Sequence, residues 1–94
     1  MSQTNKPRGT KVYGWIGARP ESRVQGNHHG QTREIMAAAS VAEVLRLTGM
    51  TRGEFNRSGC ETGNSEELEI ALSKPRVVFW QPLYGDDHWR EVAV

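Results

Sequence analysis

Thr51, Arg52, Asn56 and Arg57 are the residues of this chain whose types and spacing best suit a polyanion. Arginine presents a planar fork of donors to guanine edges or phosphate oxygens, and asparagine matches the paired donor and acceptor of adenine. The four sit on a short segment that follows Gly49 and an apolar-striped run beginning at Ser40. An apolar first helix, a turn glycine, an apolar residue just after it and a second helix with outward polar groups make a helix-turn-helix. Val44, Gly49, Met50 and Phe55 fill those places over residues 40–57. Three features oppose the assignment. Position 45, where two such helices cross, is Leu rather than a small residue. The second helix has about two turns and contains Gly53, a poor helix former. The flanking segments read as strands. Simple helix-on-helix packing accounts for the same pattern without DNA.

Reactive groups are sparse. A thiol becomes a nucleophile or a ligand beside a base or other metal-binding side chains. Cys60 is the single cysteine, which excludes an internal disulfide and a cysteine-based metal cage. His28 and His29 are adjacent, so their side chains diverge in an extended chain, and His88 lies far along the sequence. Glu61-Thr62-Gly63-Asn64 reads as a turn feeding a helix. Its backbone N–H groups would suit an anion, but Glu66, Glu67 and Glu69 would repel a phosphate, so an Asn-capped turn is expected. The expectation is a non-enzyme with no cofactor and no metal.

The aromatic residues offer a different chemistry. Tyr13 and Trp15 share one face of a strand. That face is either a contact patch for a protein or a single-stranded nucleic acid, or part of the core beneath a covering layer. With His28 and His29 on the long polar loop 18–31, they are the candidates for protein contact.

The elements that must position these groups follow from periodicity. At 94 residues the chain suits one domain with a modest core. Residues 1–10 read as a disordered, mildly basic tail and 11–94 as a single α+β domain. Lys11–Ile16 alternates as a strand, with Gly14 marking a bulge or a close contact. Thr32–Ala39 is predicted to pair with it antiparallel. Ser40 with Glu43 and Thr51 with Glu54 form S/T-x-x-E capping signals. They open helices over 41–48, with Leu47 widening its apolar stripe, and over 52–57. Asn64 with Glu67 opens a third, ending before Pro75. Arg76–Gln81 is β-branched and aromatic and reads as a strand, followed by a short extended end over 89–92. The pattern β-β-α-α-α-β predicts a three-stranded, mainly antiparallel sheet with the helices packed on one face.

Charge divides along the chain. Residues 1–60 carry nine Lys/Arg against four Asp/Glu, net +5, and residues 61–94 carry three against seven, net −4. The basic part suits a polyanion or an acidic partner surface unless the two parts neutralise each other on folding. No apolar run approaches a membrane span or a signal segment, so a cytoplasmic protein without membrane contact is expected.

A set of short matches carries a resemblance: Val12-Tyr13-Gly14-Trp15, Gln31-Thr32-Arg33-Glu34-Ile35, Ala38-Ala39-Ser40, Ala42-Glu43-Val44, Glu61-Thr62-Gly63-Asn64, Lys74-Pro75 and Val78-Phe79-Trp80-Gln81-Pro82-Leu83. Across roughly residues 12 to 92 the chain resembles small proteins encoded by bacteriophages, actinobacterial phages foremost, and by related mobile elements. The resemblance implies a setting, an infected or lysogenic bacterial cell, and no activity or site residue. The expected function is that of a non-enzymatic accessory protein binding a host protein or a nucleoprotein complex. The alternative is a DNA-binding regulator using residues 40–57. A homodimer remains open because the sheet has edges.

Overall fold

The computed structural model describes residues 9–19, 30–83 and 88–92. His28, His29, most of the 18–31 loop and residues 1–8 of the expected tail lie outside the described residues. Among the described residues the chain forms five strands and three helices: β1 (Lys11–Ala18), β2 (Gln31–Ala38), α1 (Val41–Thr48), α2 (Arg52–Ser58), β3 (Cys60–Glu61), α3 (Ser65–Ser73), β4 (Phe79–Pro82) and β5 (Arg90–Glu91). No helix among them is long and apolar enough to cross a membrane.

The strands make one sheet in the order β3-β1-β2-β4-β5, and every neighbouring pair is antiparallel. The α+β class and the β1–β2 pairing agree with the sequence reading. The sheet has five strands rather than three. The two added strands are β3 and β5, each two residues long; β5 falls within the extended end expected over 89–92, while β3 is too short for alternation to announce it. Residues 76–78 do not join the strand predicted there. Arg76 has φ 68°, and this left-handed residue turns the chain before β4 begins at Phe79.

The helices cover both faces, which corrects the one-face arrangement. Successive residues of a strand point to opposite faces, and the core divides by that parity. Tyr13 and Trp15 of β1 with Met36 and Ala38 of β2 pack against Val44 of α1 and Phe55 of α2. Val12, Ile35 and Ala37 pack with Phe79 against Ala71 of α3. The two strands at the centre of the sheet are thus apolar on both sides.

Topology explains the helix pair. β2 and β3 both run antiparallel to β1 and are therefore parallel to each other. Parallel strands cannot be joined by a tight hairpin and require a crossover. α1 and α2 are that crossover, with α1 docked on β2 and α2 on β1. α3 then returns the chain across the opposite face to β4.

Local chemistry fixes each helix end. The Ser40 hydroxyl accepts the Glu43 N–H at 3.2 Å, while the Glu43 carboxylate takes the Ala39 N–H at 2.8 Å and Arg76 Nε at 3.1 Å. That backbone bond, with Arg76 and Arg46 nearby, holds the Glu43 carboxyl below its ordinary range. Gly49 ends α1 at φ 78°, a conformation that suits glycine. Thr51 and Glu54 form the full reciprocal box at the start of α2. Asn64 caps α3 through the Glu67 N–H at 3.0 Å.

Candidate functional site

A cleft of about 770 Å³ lies between the α1–α2 pair and the sheet. Its floor includes Trp15, Gly17 and Glu34. Its wall runs through Leu47 and Met50 at the end of α1, then Glu54, Arg57 and Ser58 of α2. Val78 and Val92 close the far end. Leu47 is 42% exposed and Ile16, at the near mouth, 39%; they are the exposed large apolar residues of the described chain. Leu47 therefore does not widen the core stripe of α1, as its spacing predicts, but faces the cleft.

The cleft floor is polar, and its carboxylate is engaged by three hydrogen bonds. Glu34 is buried on β2 and its carboxylate accepts three donors: Arg19 Nε at 2.8 Å, Arg19 Nη2 at 3.0 Å and Thr32 Oγ1 at 2.7 Å. A buried carboxylate is tolerated when charge-paired and fully bonded in this way. Gly17 makes room for the cluster, since a Cβ there would lie 2.9 Å from Glu34 Oε2. Arg19 and Arg90 also approach the ring of Trp80, at 5.9 and 5.1 Å from its centroid, within cation–π range. The Ser58 hydroxyl accepts the Ile16 N–H at 2.9 Å and anchors the end of α2 to β1.

The nucleic-acid candidates separate on this scaffold. The Thr51 hydroxyl and backbone are spent in the capping box. Arg57 lines the cleft with Glu54 and Ser58, whereas Arg52 and Asn56, one turn apart, lie exposed outside it. Phe55 fixes the orientation: its ring packs edge-on to Tyr13 at 6.4 Å and tilted to Trp15 at 6.4 Å. Neither Arg52 nor Arg57 has an ion-pair partner among the described residues.

The aromatic contact patch is corrected. Tyr13 and Trp15 are 7% and 4% exposed, because α2 covers their face of β1 and inserts Phe55 between the strand and solvent. The core alternative accounts for both. His28 and His29 lie outside the described residues. Cys60 is exposed and opposite Gly14, and among the described residues no cluster of His, Cys, Asp or Glu has the makings of a metal site.

The opposite face holds a second polar cluster. Arg33 Nε and Nη2 each donate to Glu67 at 2.9 Å, and Thr62 Oγ1 donates to the same carboxylate at 2.8 Å. The bond to Arg33 is the main reason the Glu67 carboxyl titrates below its ordinary value, and the same bond raises Arg33. The guanidinium lies against Gly14, where a Cβ would clash with Nη2 and Cζ. The strand register through Gly14 is unbroken, so of the two readings of that glycine, close contact is the correct one. Thr62 and Asn64 of the Glu61–Asn64 turn are thereby explained as structural.

Sequence reasoning missed the Arg19–Glu34 and Arg33–Glu67 pairs and the cleft itself. Adjacent charges ahead of the apolar half of a strand, Arg33-Glu34, were the available signal, since a strand buried on both faces holds charges only when each has a partner. Compared with known proteins, the chain matches no family model, no curated protein and no solved structure.

Proposed function

We propose that the protein is a non-enzymatic accessory protein of a phage or mobile element that binds a host protein, or a protein of a nucleoprotein complex, through the cleft beneath α1 and α2. One observation carries the reading: exposed Leu47 and Ile16 both border the same cleft, Leu47 on the α1–α2 face and Ile16 around the edge of β1, with the unpaired guanidinium of Arg57 also in its lining. Apolar anchors beside a charged rim are the usual anatomy of a protein-binding site. The polar floor supports recognition over reaction, because the Glu34 carboxylate already accepts three hydrogen bonds. Arg57 favours a partner segment that is aliphatic with an acidic residue beside it.

Peptide-display selection on the immobilised protein tests this, with every binder re-tested on Leu47→Glu and Arg57→Ala. The reading expects aliphatic–acidic binders that Leu47→Glu abolishes and Arg57→Ala weakens. A selection yielding only binders indifferent to Leu47→Glu overturns it.

A second reading, DNA binding through α2, is favoured by exposed Arg52 and Asn56 on one side of that helix. The helix is seven residues long, roughly 10 Å, so its reach into a groove is short. This reading expects a mobility shift at low salt that Arg52→Ala reduces, with binding falling steeply as salt rises. No shift with any duplex at low salt removes it.

A further inference from the structure

We propose that the cleft receives its partner as an extended segment that adds to the edge of β1 over Ile16–Ala18, which no strand among the described residues occupies, in the line that β3 vacates; this deepens the cleft-binding reading above and rests on it.

The backbone parity of β1 carries the inference. The Arg19 N–H donates to Gly30 O at 2.8 Å, and the β1–β2 ladder runs from there without a break. In an antiparallel strand, hydrogen-bonding groups alternate between the two neighbours. The odd residues of β1 therefore serve β2, and Val12, Gly14, Ile16 and Ala18 direct their N–H and C=O outward, toward the β3 side. Val12 O accepts the Thr62 N–H at 2.9 Å, and Gly14 lies opposite Cys60. At Ile16 the Ser58 hydroxyl takes the N–H. Beyond it, the Ile16 C=O and both the N–H and C=O of Ala18 have no hydrogen-bond partner among the described residues.

β3 occupies so little of this edge because the chain before Cys60 lifts away. Gly59 closes α2 onto Phe55, and α2 climbs over the Tyr13–Trp15 face. A strand edge with unmatched donors and acceptors is a template for another extended backbone.

The cleft reaches that edge. Four consecutive residues of β1, Trp15 to Ala18, line it together with Arg19 just beyond. Residues of both parities therefore border one space, which a hollow confined to one face of the sheet would not produce. An added strand would place alternate side chains on the two faces. One set would enter the cleft against Leu47, and the other would lie beside Ile16 on the α3 face. The two exposed apolar residues thus correspond to the two sides of a period-two segment. Three free backbone groups make a short ladder, so side chains must supply most of the affinity, in keeping with an aliphatic–acidic pattern.

The test uses the peptide selected as above, a series of copies N-methylated at single backbone positions, and the variants Leu47→Glu and Ala18→Pro. Ala18→Pro removes one outward N–H that has no partner, and circular dichroism checks that the fold persists. The expected results are loss of binding on N-methylation at alternate positions only, slowed hydrogen exchange at the Ala18 amide in the complex, and an affinity drop of about fivefold or more for Ala18→Pro, as one lost hydrogen bond implies. If Leu47→Glu abolishes binding but N-methylation has no effect at any position and the Ala18 amide stays unprotected, strand addition is overturned and the cleft reading stands. If no binder depends on Leu47, both fall. If the protein alone sediments as a dimer with the Ala18 amide already protected, the edge belongs to a second copy and the proposal is overturned.

Discussion

The two faces of the sheet solve the same covering problem in opposite ways. On the α3 face, a guanidinium–carboxylate pair spans strand and helix, Arg33 to Glu67, and Thr62 adds a third bond. On the α1–α2 face no ion pair joins helix to strand among the described residues; the cover is held by apolar contact through Val44 and Phe55 and by the single bond from Ile16 N–H to the Ser58 hydroxyl. The first arrangement is directional and shuts the face. The second leaves an open cleft with exposed Leu47 at its lip. Charge differs less than packing does: α3 carries Glu66, Glu67 and Glu69 with no basic residue, whereas α1 and α2 carry Arg46, Arg52 and Arg57 against Glu43 and Glu54. The difference teaches that directional bonds close one face of the sheet, whereas apolar contact leaves the other partly open.

The largest effect should come from the wedge that holds the partly open face. Phe55→Ala removes a ring that is 4% exposed and touches both Tyr13 and Trp15. Truncation of a buried Phe costs about 3–5 kcal/mol, a large share of the ~5–15 kcal/mol available to a small domain. Urea denaturation should show that loss, with α2 the first region to lose amide protection. A loss confined to a few tenths of a kcal/mol would mean that α2 is held by something other than this ring. Gly59 belongs to the same device, since a Cβ there would meet the Phe55 ring at 2.5 Å.

Next in size is the lock. Glu67→Ala strands a guanidinium whose side chain is only 22% exposed. Breaking a fully buried pair costs about 3–5 kcal/mol, and partial solvent access brings this to roughly 2 kcal/mol. The pH dependence has a definite sign. The folded Glu67 carboxyl lies below its ordinary value of 4.5 because Arg33 and Thr62 bond its charged form. Its contribution is present in full above that value and is lost as pH falls below it through the folded pKa. Thermal melts of the native protein should therefore decline on acidification, and those of Glu67→Ala should decline less. Equal acid slopes in the two proteins would assign the effect to other carboxylates.

A smaller and more diagnostic effect lies beneath that pair. Gly14→Ala places a methyl against the guanidinium of Arg33, and such overpacking costs about 1–3 kcal/mol. In an Arg33→Ala background the same change should be nearly free, giving a coupling of about 1 kcal/mol or more in a double-mutant cycle. Additive losses would show that Gly14 is needed for the strand itself and not for the guanidinium.

What the sequence disclosed and what it hid divide along physical lines. Local rules were legible: the caps at Ser40, Thr51 and Asn64 each place a side-chain oxygen on the third residue's N–H, alternation found β1, and the cap at Ser40 implied the extended segment before it that is β2. Contact at Gly14 was legible as one of two meanings of a strand glycine. The side of the sheet on which α3 lies was not, because both faces of β1 and β2 are apolar and periodicity does not number faces. β3 and β5, at two residues each, exist only through pairing with distant strands. The cleft arises where Leu47, Ile16 and Arg57 meet from three separate elements, and no spacing along the chain relates them.

The smallest effect on stability should accompany a large effect on recognition. Leu47 sits on the last turn of α1 with its side chain in the cleft rather than the core, so Leu47→Glu should move the unfolding free energy by no more than about 0.5 kcal/mol. Glutamate is a good helix former, though at the C-terminal end it opposes the helix dipole by a few tenths of a kcal/mol. The added charge lies near Arg57, on the cleft wall they share, so it would compete for the group proposed to receive a partner's acid. The expected pair of measurements is an unchanged urea midpoint and abolished peptide binding. A fall in the midpoint of the size expected for Phe55→Ala would place Leu47 in the load of the fold, and the contrast between a closed face and a partly open one would then lose its main support.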